Sequence, residues 1–307
     1  MSYIDLHCDT AGLIYYNQTA LAHNDYHVDI QKMKASHYLA QWFAFFIEIK
    51  DGKTDSLFYE FKQMYDYFLQ EVQKNEDTIG IARTYEDYKL YKEQGKIAAF
   101  LSLEEGEVIA HLENPLQTLV DMGITLMTLT WNFENSLGAP HSMDKGLTSK
   151  GKDLIEGLNH VPILLDISHL SEGALVDITK LYKKPIIASH SNARGYCNHS
   201  RNVTDEGLKL IAKSGGLVGT NFYSYFLNRT EESRIDDIIN NMKYIYNLVG
   251  EDVLALGTDF DGISCNLEVC NCKEMDTLKN RMTRVFDSRV IDKVCYSNVE
   301  RLIQENL

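Results

Sequence analysis

A histidine and an aspartate, His7 and Asp9, lie two residues apart and directly after a short apolar run. Side chains two apart in a β-strand point to the same face, so both are expected to project from the C-terminal tip of a first strand. An imidazole nitrogen and a carboxylate oxygen on one face provide half of a metal site with nitrogen and oxygen ligands. Because such a pair is also common at ordinary strand ends, its meaning depends on further ligands at equivalent positions.

Further side chains of the metal-ligating types follow other apolar segments of strand length. Glu104 ends one such segment, His169 and His190 follow two more, and Asp259 follows the last. If these segments are strands of one parallel barrel, their C-terminal ends meet at one face, where active sites of that fold lie. The sequence then predicts three imidazoles and three carboxylates on one rim.

Six ligands of this kind are more than a single zinc ion requires. A catalytic zinc takes three protein ligands and a water, whereas six ligands suit two metal ions about 3.5–4 Å apart, bridged by a carboxylate and a hydroxide. Because no cysteine is required, zinc is the expected metal, and manganese or cobalt could substitute for it.

Eight apolar segments are predicted to form the strands that position these ligands, with helical patterns between most of them. The predicted strands are Ser2–Asp5, Leu39–Ile47, Ile97–Leu103, Thr125–Thr130, Ile163–Ser168, Pro185–Ser189, Leu217–Asn221 and Val253–Thr258. The predicted helices include Leu57–Asn75, Asp205–Lys213 with Thr204 as its N-cap, and Glu232–Val249. We therefore predict an α/β fold, a single (β/α)8 TIM barrel over residues 1–307. Two doubly wound domains are the alternative, but no linker supports them.

Composition narrows the classes of function. The net charge of −14 argues against nucleic-acid binding, which depends on basic side chains that neutralise phosphates. With no signal-peptide pattern and no run of about 18 apolar residues, we expect a cytoplasmic protein without a membrane partner. The six cysteines are then expected to be free thiols. The cluster of Cys265, Cys270 and Cys272 is interpreted as a loop, with a structural metal as the alternative.

The chain resembles a known family, the membrane (renal) dipeptidases of peptidase family M19 and their soluble bacterial relatives. Besides His7 and Asp9, the motifs that carry the resemblance are Leu103-Glu104-Glu105-Gly106, Thr128-Leu129-Thr130, Asp166-Ile167-Ser168-His169-Leu170-Ser171, Ser189-His190-Ser191-Asn192-Ala193, Ser200-Arg201-Asn202-Val203, Asn221-Phe222-Tyr223 and Gly257-Thr258-Asp259-Phe260-Asp261-Gly262. They occur in order over nearly the whole chain. The resemblance implies a (β/α)8 metal-dependent hydrolase, amidohydrolase-like, with two zinc ions that hydrolyses dipeptides, including those with a C-terminal D-residue.

The resemblance also implies roles for individual residues. The ligands form two groups that share one carboxylate: His7 and Asp9 for the first zinc, His169 and His190 for the second, and Glu104 between them. Asp259 is implied to lie beside the first metal, counted with the ligands, and to handle the proton. Arg201 matches the arginine that holds the substrate carboxylate, and Tyr223 is placed with the substrate-binding residues.

One departure from the family concerns the residue after Thr130. The family commonly has a histidine there, which contacts the substrate carbonyl as it becomes tetrahedral, but this chain has Trp131. Indole donates one hydrogen bond and cannot titrate, so the activity is weaker, the substrate differs, or another donor substitutes. We assign Trp131 to substrate binding and hypothesise that His141 reaches the site instead, with a solvated loop histidine as the alternative. The other histidines are interpreted as ordinary, although His23 or His27 could line the mouth: His23, His27, His37, His111, His160 and His199.

The expected reaction is hydrolysis of a dipeptide by a hydroxide that bridges two metals, with Asp259 taking the proton. Arg201 would bind the substrate carboxylate in a forked geometry. One alternative is another binuclear amidohydrolase, acting on a lactam, a lactone or an N-acyl amino acid. A remote alternative is an inactive metal-binding scaffold. Because relatives are often dimers, the resemblance also implies a possible homodimer.

Overall fold

Eight parallel strands close into a barrel in the computed structural model, which describes residues 2–49 and 56–307. The strands are β1 (Tyr3–Cys8), β2 (Tyr38–Phe46), β3 (Ile79–Ile81), β4 (Ile97–Glu104), β5 (Ile124–Thr128), β6 (Leu164–Asp166), β7 (Ile186–Ala188), β8 (Leu217–Thr220), β9 (Glu232–Ser233), β10 (Leu254–Leu256) and β11 (Asn266–Leu267). Around the barrel the order is β1-β2-β4-β5-β6-β7-β8-β10, and the ring closes where β10 pairs with β1. Outside the ring, β3 pairs with the start of β4, and β9 pairs with β11.

Helices follow most of the barrel strands. They are α1 (Thr10–Asn17), α2 (Ile30–Ala35), α3 (Leu57–Lys74), α4 (Tyr85–Glu93), α5 (Glu107–Ala110), α6 (Pro115–Met122), α7 (Ser149–Leu158), α8 (Glu172–Leu181), α9 (Asp205–Lys213), α10 (Ser224–Leu227), α11 (Ile235–Val249), α12 (Met275–Met282), α13 (Ser288–Asp292) and α14 (Asn298–Asn306). A 3₁₀ turn, Cys272–Glu274, precedes α12, and a π-helical turn, Lys293–Ser297, precedes α14. Within the described ranges, no helix combines the length and apolar character needed to cross a membrane.

The predicted (β/α)8 architecture is confirmed, and each of the eight predicted strands forms one strand of the barrel. Helix α9 has its predicted bounds, and the Thr204 hydroxyl accepts a hydrogen bond from the backbone N–H of Gly207, as expected of an N-cap. The predicted start of the helix Glu232–Val249 is wrong. Glu232 and Ser233 instead pair with β11, and Arg234 is still extended, so the helix begins at Ile235.

The interior of the barrel changes character along each strand. On β4 the inward-facing residues run from Ala98 and Phe100 through Ser102 to Glu104, from apolar to charged. At the N-terminal end, residues from α14 close the barrel over the stacked rings of Trp42 and Phe100. The strand alternation therefore produces an apolar floor and a polar mouth from the same set of strands.

A glycine narrows the barrel below the mouth. A Cβ atom placed on Gly257 would lie 1.8 Å from the carbonyl oxygen of Ser189. Only glycine allows the backbones to approach this closely. The residue after it in the chain, Thr258, then donates its backbone N–H and its hydroxyl to buried Asp5, which fixes the segment that carries Asp259.

Candidate metal centre

The C-terminal ends of five barrel strands bring six metal-ligating side chains together. They are His7 on β1, Asp9 after it, Glu104 at the end of β4, His169 after β6, His190 after β7 and Asp259 after β10. All are buried except half-buried Asp9. His169 and Asp259 have φ angles of +67° and +61°, a region that L-residues rarely adopt. Such conformations persist where the surroundings fix them, and they concentrate at functional sites.

Glu104 lies between two groups of side chains. Its Oε2 is 3.4 Å from Nε2 of His7, which is itself 3.2 Å from Oδ2 of Asp9. Its Oε1 is 3.2 Å from Nε2 of His169 and 3.6 Å from Nε2 of His190. The two oxygens of one carboxylate thus face different imidazole groups, which is the arrangement of a carboxylate shared by two ions.

The tautomers of two histidines show that the residues fit metal ions. Ser189 Oγ donates to Asp166 Oδ2 at 2.6 Å, so it accepts from Nδ1 of His190 at 2.7 Å. His169 Nδ1 likewise donates to Oδ1 of Asn132 at 2.9 Å. Both Nε2 atoms therefore carry lone pairs, yet they lie only 3.0 Å apart. Two lone pairs at this distance repel each other, and cations bound between them and Glu104 remove the repulsion.

The charges of the group point in the same direction. Burial would lower the pKa of His7, but the Glu104 and Asp9 carboxylates raise it well above its ordinary value. Burial and neighbouring positive charge lower the pKa values of His169 and His190 well below the ordinary value, so both are neutral. Neutral imidazole is the form that binds metals. The carboxylates around His7 thus leave an excess of negative charge that a cation can neutralise. On the other side of Glu104, His169 and His190 provide uncharged nitrogen ligands.

Asp259 differs from the other carboxylates in its environment. Its Oδ1 is 3.8 Å from Nε2 of His7, and its Oδ2 accepts a hydrogen bond from Nδ2 of Asn221 at 2.8 Å. Burial, together with the Asp9 and Glu104 carboxylates, raises its pKa to about 8 against the opposing charge of His7. A carboxyl group with a pKa near neutrality can both accept and release a proton at physiological pH.

Arg201 is buried beside this cluster. Its Nη1 donates to Ser191 Oγ at 2.7 Å and its Nη2 to the carbonyl oxygen of His190 at 3.1 Å. Its Nε is buried without a hydrogen-bond partner among the described residues. Burial lowers its pKa to about 10, although the Asp259, Asp166 and Glu104 carboxylates act to raise it, so it remains a buried cation.

Sequence comparisons relate the chain to known proteins. The model of the membrane dipeptidase family, peptidase family M19, matches residues 1–306. The chain belongs to this family. An uncharacterized protein in the pqqA 5′ region of Klebsiella pneumoniae is 33% identical over 64% of this chain and 81% of its own length. Dipeptidase tcpJ of Claviceps purpurea is 24% identical over 91% of this chain and 69% of its own.

The fold is shared with a solved structure of a metallo peptidase from Rhodobacter sphaeroides, bound to a phosphinate mimic of the dipeptide L-Ala-D-Ala. The TM-score is 0.92 at 22% identity, with 100% of this chain and 99% of that chain covered. This likeness concerns the fold, and the family assignment rests on the sequence match.

In this M19 protein, a cavity of about 380 Å³ opens at the centre and is lined by five of the six side chains, all but His7. Trp131, after β5, and Tyr223, after β8, both line it, and their role in substrate binding stays a prediction. Arg201 does not line this cavity but a smaller neighbouring one, together with Ser191 and Arg194. The structure therefore brings the predicted residues together at the main cavity, except Arg201, which lies in the neighbouring cavity.

Three further histidines are possible site residues by sequence, and the structure places each of them outside the main cavity. His141 hydrogen-bonds through Nδ1 to Ser200 Oγ at 2.9 Å, and its ring centroid is 6.5 Å from that of His169. It lines a separate cavity, so its role as a substitute donor stays a hypothesis. His23 pairs with Asp29, and His27 accepts from the backbone N–H of Asp261; neither lines the main cavity.

The cysteine cluster is divided between environments: Cys272 is buried, Cys265 is half-buried and Cys270 is exposed. Within the part of the chain that the structure describes, none of the three belongs to a group of side chains that could hold a metal.

Sequence reasoning missed residues that orient the ligands. Asp166 and Ser189 lie in the quoted motifs but received no role, although together they fix the His190 ring. Asn132, which fixes the His169 ring, directly follows Trp131 and could have been found as a polar residue at a strand end. Phe46, which lines the main cavity, was also missed and carries no such signal, because an aromatic residue at the end of an apolar strand is expected in any core.

Proposed function

We propose that this protein is a dipeptidase that works with two zinc ions and that residues 1–307 act as one catalytic domain. The residues that would hold the ions are His7, Asp9, Glu104, His169 and His190, with Asp259 beside them. The observation that carries the proposal is Glu104, whose two oxygens face different imidazole groups at 3.4 and 3.2 Å. When bound, the ions would lower the pKa of a water molecule toward neutrality and polarise the peptide carbonyl.

Asp259 would move the proton in this reaction. Its position beside the proposed ligands, with Oδ1 3.8 Å from Nε2 of His7, and its hydrogen bond from Asn221 support a role in accepting the proton of the attacking water. The same carboxyl group could then deliver that proton to the leaving amine. Asn221 Nδ2 also donates to the carbonyl oxygen of His190, so one amide orients the proton carrier relative to a ligand segment.

Arg201 would bind the carboxylate of the dipeptide. Its buried positive charge and the unpaired Nε support this role, because a guanidinium offers a second donor to a carboxylate where lysine cannot. Tyr223, after β8, and Trp131, after β5, would contact the substrate from two different places on the rim. If both ends of the substrate are anchored, tripeptides are poor substrates.

Two of the similar proteins guide the choice of substrate. The Claviceps protein is named a dipeptidase, and the Rhodobacter structure holds a mimic of L-Ala-D-Ala. We propose that this chain accepts a D-residue at the carboxyl-terminal position as well as an L-residue. A cytoplasmic location and a homodimer stay predictions.

The experiment is turnover of L-Ala-L-Ala and L-Ala-D-Ala by zinc-loaded and chelator-stripped protein, with metal content measured by mass spectrometry. We expect two zinc ions per chain and release of alanine that is lost on stripping and restored by zinc. Two bound ions without hydrolysis of either dipeptide would refute the proposal and favour another amidohydrolase reaction. A panel of lactams, lactones and N-acyl amino acids would then identify it.

A matched variant tests the carboxylate anchor. Arg201→Lys keeps the charge but loses the forked geometry. We expect kcat/KM for L-Ala-L-Ala to fall about tenfold or more, while the already poor turnover of L-Ala-L-Ala amide changes little. Equal losses for the dipeptide and its amide would assign Arg201 a structural role instead.

A further inference from the structure

One side of the cavity above the centre is apolar, in contrast to the ligand cluster at its base. Leu13 and Tyr16 from α1, Phe46 at the end of β2 and Trp131 after β5 line this side. The rings of Phe46 and Trp131 lie 4.7 Å apart between centroids, and Phe133 packs on the outer side of Trp131 at 5.7 Å. We call the four lining residues Leu13, Tyr16, Phe46 and Trp131 the apolar wall.

The apolar wall and Arg201 lie on different sides of the barrel mouth. Phe46 ends β2 and Arg201 follows β7, and these strands are four steps apart in either direction around the eight-stranded ring. Leu13 and Tyr16 follow β1, next to β2. Trp131 follows β5, two steps from β7, but its ring packs against Phe46 on the side away from Arg201. A dipeptide whose carboxylate points to Arg201 would therefore turn its amino-terminal residue toward the apolar wall.

Glu105 holds Trp131 in this position through an unusual conformation. Its φ angle is +101°, a region that glycine adopts easily and that strains a residue with a side chain. Its side chain is buried and accepts hydrogen bonds from the backbone N–H of Trp131 at 3.0 Å, from that of Glu107 at 2.9 Å and from Asn135 Nδ2 at 2.5 Å. The strained residue thus links the end of β4, which carries Glu104, to the segment that carries Trp131.

We propose that the apolar wall selects dipeptides with a branched or aromatic apolar side chain on the amino-terminal residue. In this proposal Trp131 determines the specificity, and Glu105 is a positioning residue that acts through Trp131. The inference rests on the proposed function, because it takes the substrate to be a dipeptide with its carboxylate toward Arg201. A large apolar side chain gains affinity by leaving water for contact with these rings.

Isomeric dipeptides provide the test, because they carry the same side chain at opposite ends. We compare kcat/KM for Leu-Ala, Ala-Leu and Ala-Ala in the wild type and in Trp131→Ala. The ratio of Leu-Ala to Ala-Ala is expected to fall about tenfold or more in the variant, as for several methylene contacts, while the ratio of Ala-Leu to Ala-Ala stays constant. A constant Leu-Ala ratio, or a fall of the Ala-Leu ratio alone, would overturn the proposal.

A binding measurement separates this proposal from the proposed function. The chain has two tryptophans, and Trp42 is buried in the barrel floor. The difference in emission between the wild type and Trp131→Phe therefore reports on Trp131. We expect a phosphinate dipeptide mimic with a leucine side chain at its amino end to perturb this emission and to bind about tenfold tighter than the alanine mimic.

The two proposals then fail in different ways. If the wild type hydrolyses no dipeptide, the proposed function is wrong, and the preference between the two mimics still decides on the apolar wall. Equal affinity for both mimics, or no change in Trp131 emission, would refute the apolar wall even if dipeptides are hydrolysed.

Glu105→Gly tests the positioning role. The variant removes the three accepted hydrogen bonds, but it also relieves the strain at a positive φ, so we expect it to fold. The Leu-Ala to Ala-Ala ratio should fall as in Trp131→Ala, and Trp131 emission should shift as the ring becomes mobile. A variant that keeps the wild-type ratio and emission would show that Glu105 does not position Trp131.

Discussion

The same strands form both ends of this barrel, but the interior is apolar at one end and polar and charged at the other. At the N-terminal end the interior is apolar, and Trp42 and Phe100 stack with centroids 4.2 Å apart. At the C-terminal end, side chains on and just after the same strands form a group of three imidazoles and three carboxylates, all buried except half-buried Asp9. The floor side chains pack favourably without any ligand. The mouth instead places lone pairs and like charges at short distances, where they repel each other.

The difference shows how the fold separates stability from chemistry. Burial of the floor side chains stabilises the barrel by removing apolar surface from water. The mouth gathers groups whose mutual repulsion bound cations relieve, and ions that bind the folded state but not the unfolded state then add stability by mass action. Substitutions at the two ends should therefore affect different measurements, and the comparison fails if they do not.

The largest effect is expected at the mouth, for Glu104→Gln. The amide keeps the shape of the side chain but cannot share two anionic oxygens between the imidazole groups. We expect dipeptide turnover to fall by more than the ~10³-fold that loss of one transition-state donor costs, with fewer than two zinc ions retained. Turnover and metal content measured on the same sample check this.

Glu107→Gln is the matched control for that variant. Glu107 is also a buried glutamate close to β4, but it accepts from the backbone N–H of Ser136 and pairs with His111 away from the centre. The Glu107→Gln variant should retain both zinc ions. If Glu104→Gln retained two ions and full turnover, the bridging role would be wrong.

The next largest effect is expected at the floor, for Trp42→Ala. The variant leaves a cavity beside Phe100 and removes the partner of the Thr125 hydroxyl, to which the indole N–H donates at 3.1 Å. The free energy of unfolding should fall by about 3–5 kcal/mol. Urea denaturation checks the loss, and kcat/KM for each folded molecule should be unchanged. A loss of turnover at unchanged stability would mean that floor and mouth are not separate.

Some features of the barrel floor and mouth could be predicted from the sequence, because they follow from pattern and topology. The eight strands could be predicted because a strand buried on both faces is an apolar run of characteristic length. The convergence of His7, Glu104, His169 and Asp259 followed from closure of the barrel, which brings distant strand ends to one face. These features depend on pattern and topology, which a single sequence carries.

Other features depend on contacts that no pattern encodes. The contact between Phe46 and Trp131 joins residues from strands separated by β4. Placement of Arg201 in a neighbouring cavity depends on its hydrogen bond to Ser191. The late start of helix α11 depends on pairing of Glu232 with Asn266 on β11, which lies far beyond the helix in the chain. Long-range pairing overrides local propensity in such cases.

A smaller effect is expected at the boundary between the two ends, for Ser189→Ala. Ser189 Oγ accepts from His190 Nδ1 and donates to buried Asp166, so it fixes the ring of a proposed ligand without touching the ions. Loss of such a partner typically weakens metal binding by about 10–100-fold. Competition with a chelator measures the affinity. Ser102→Ala removes a buried hydroxyl that donates to the carbonyl oxygen of Phe43 and should leave the affinity unchanged.

The smallest effect is expected outside both ends, for Thr204→Ala at the start of α9. The hydroxyl satisfies the backbone N–H of Gly207 at 3.2 Å, and its loss should lower the free energy of unfolding by about 1 kcal/mol. Because α9 packs on the outside of the barrel, metal content and substrate preference should not change. This variant sets the scale for a purely structural loss in the helical layer. If it altered zinc binding as much as Ser189→Ala does, the effect of Ser189 could not be attributed to His190, and the boundary between floor and mouth would have to be drawn elsewhere.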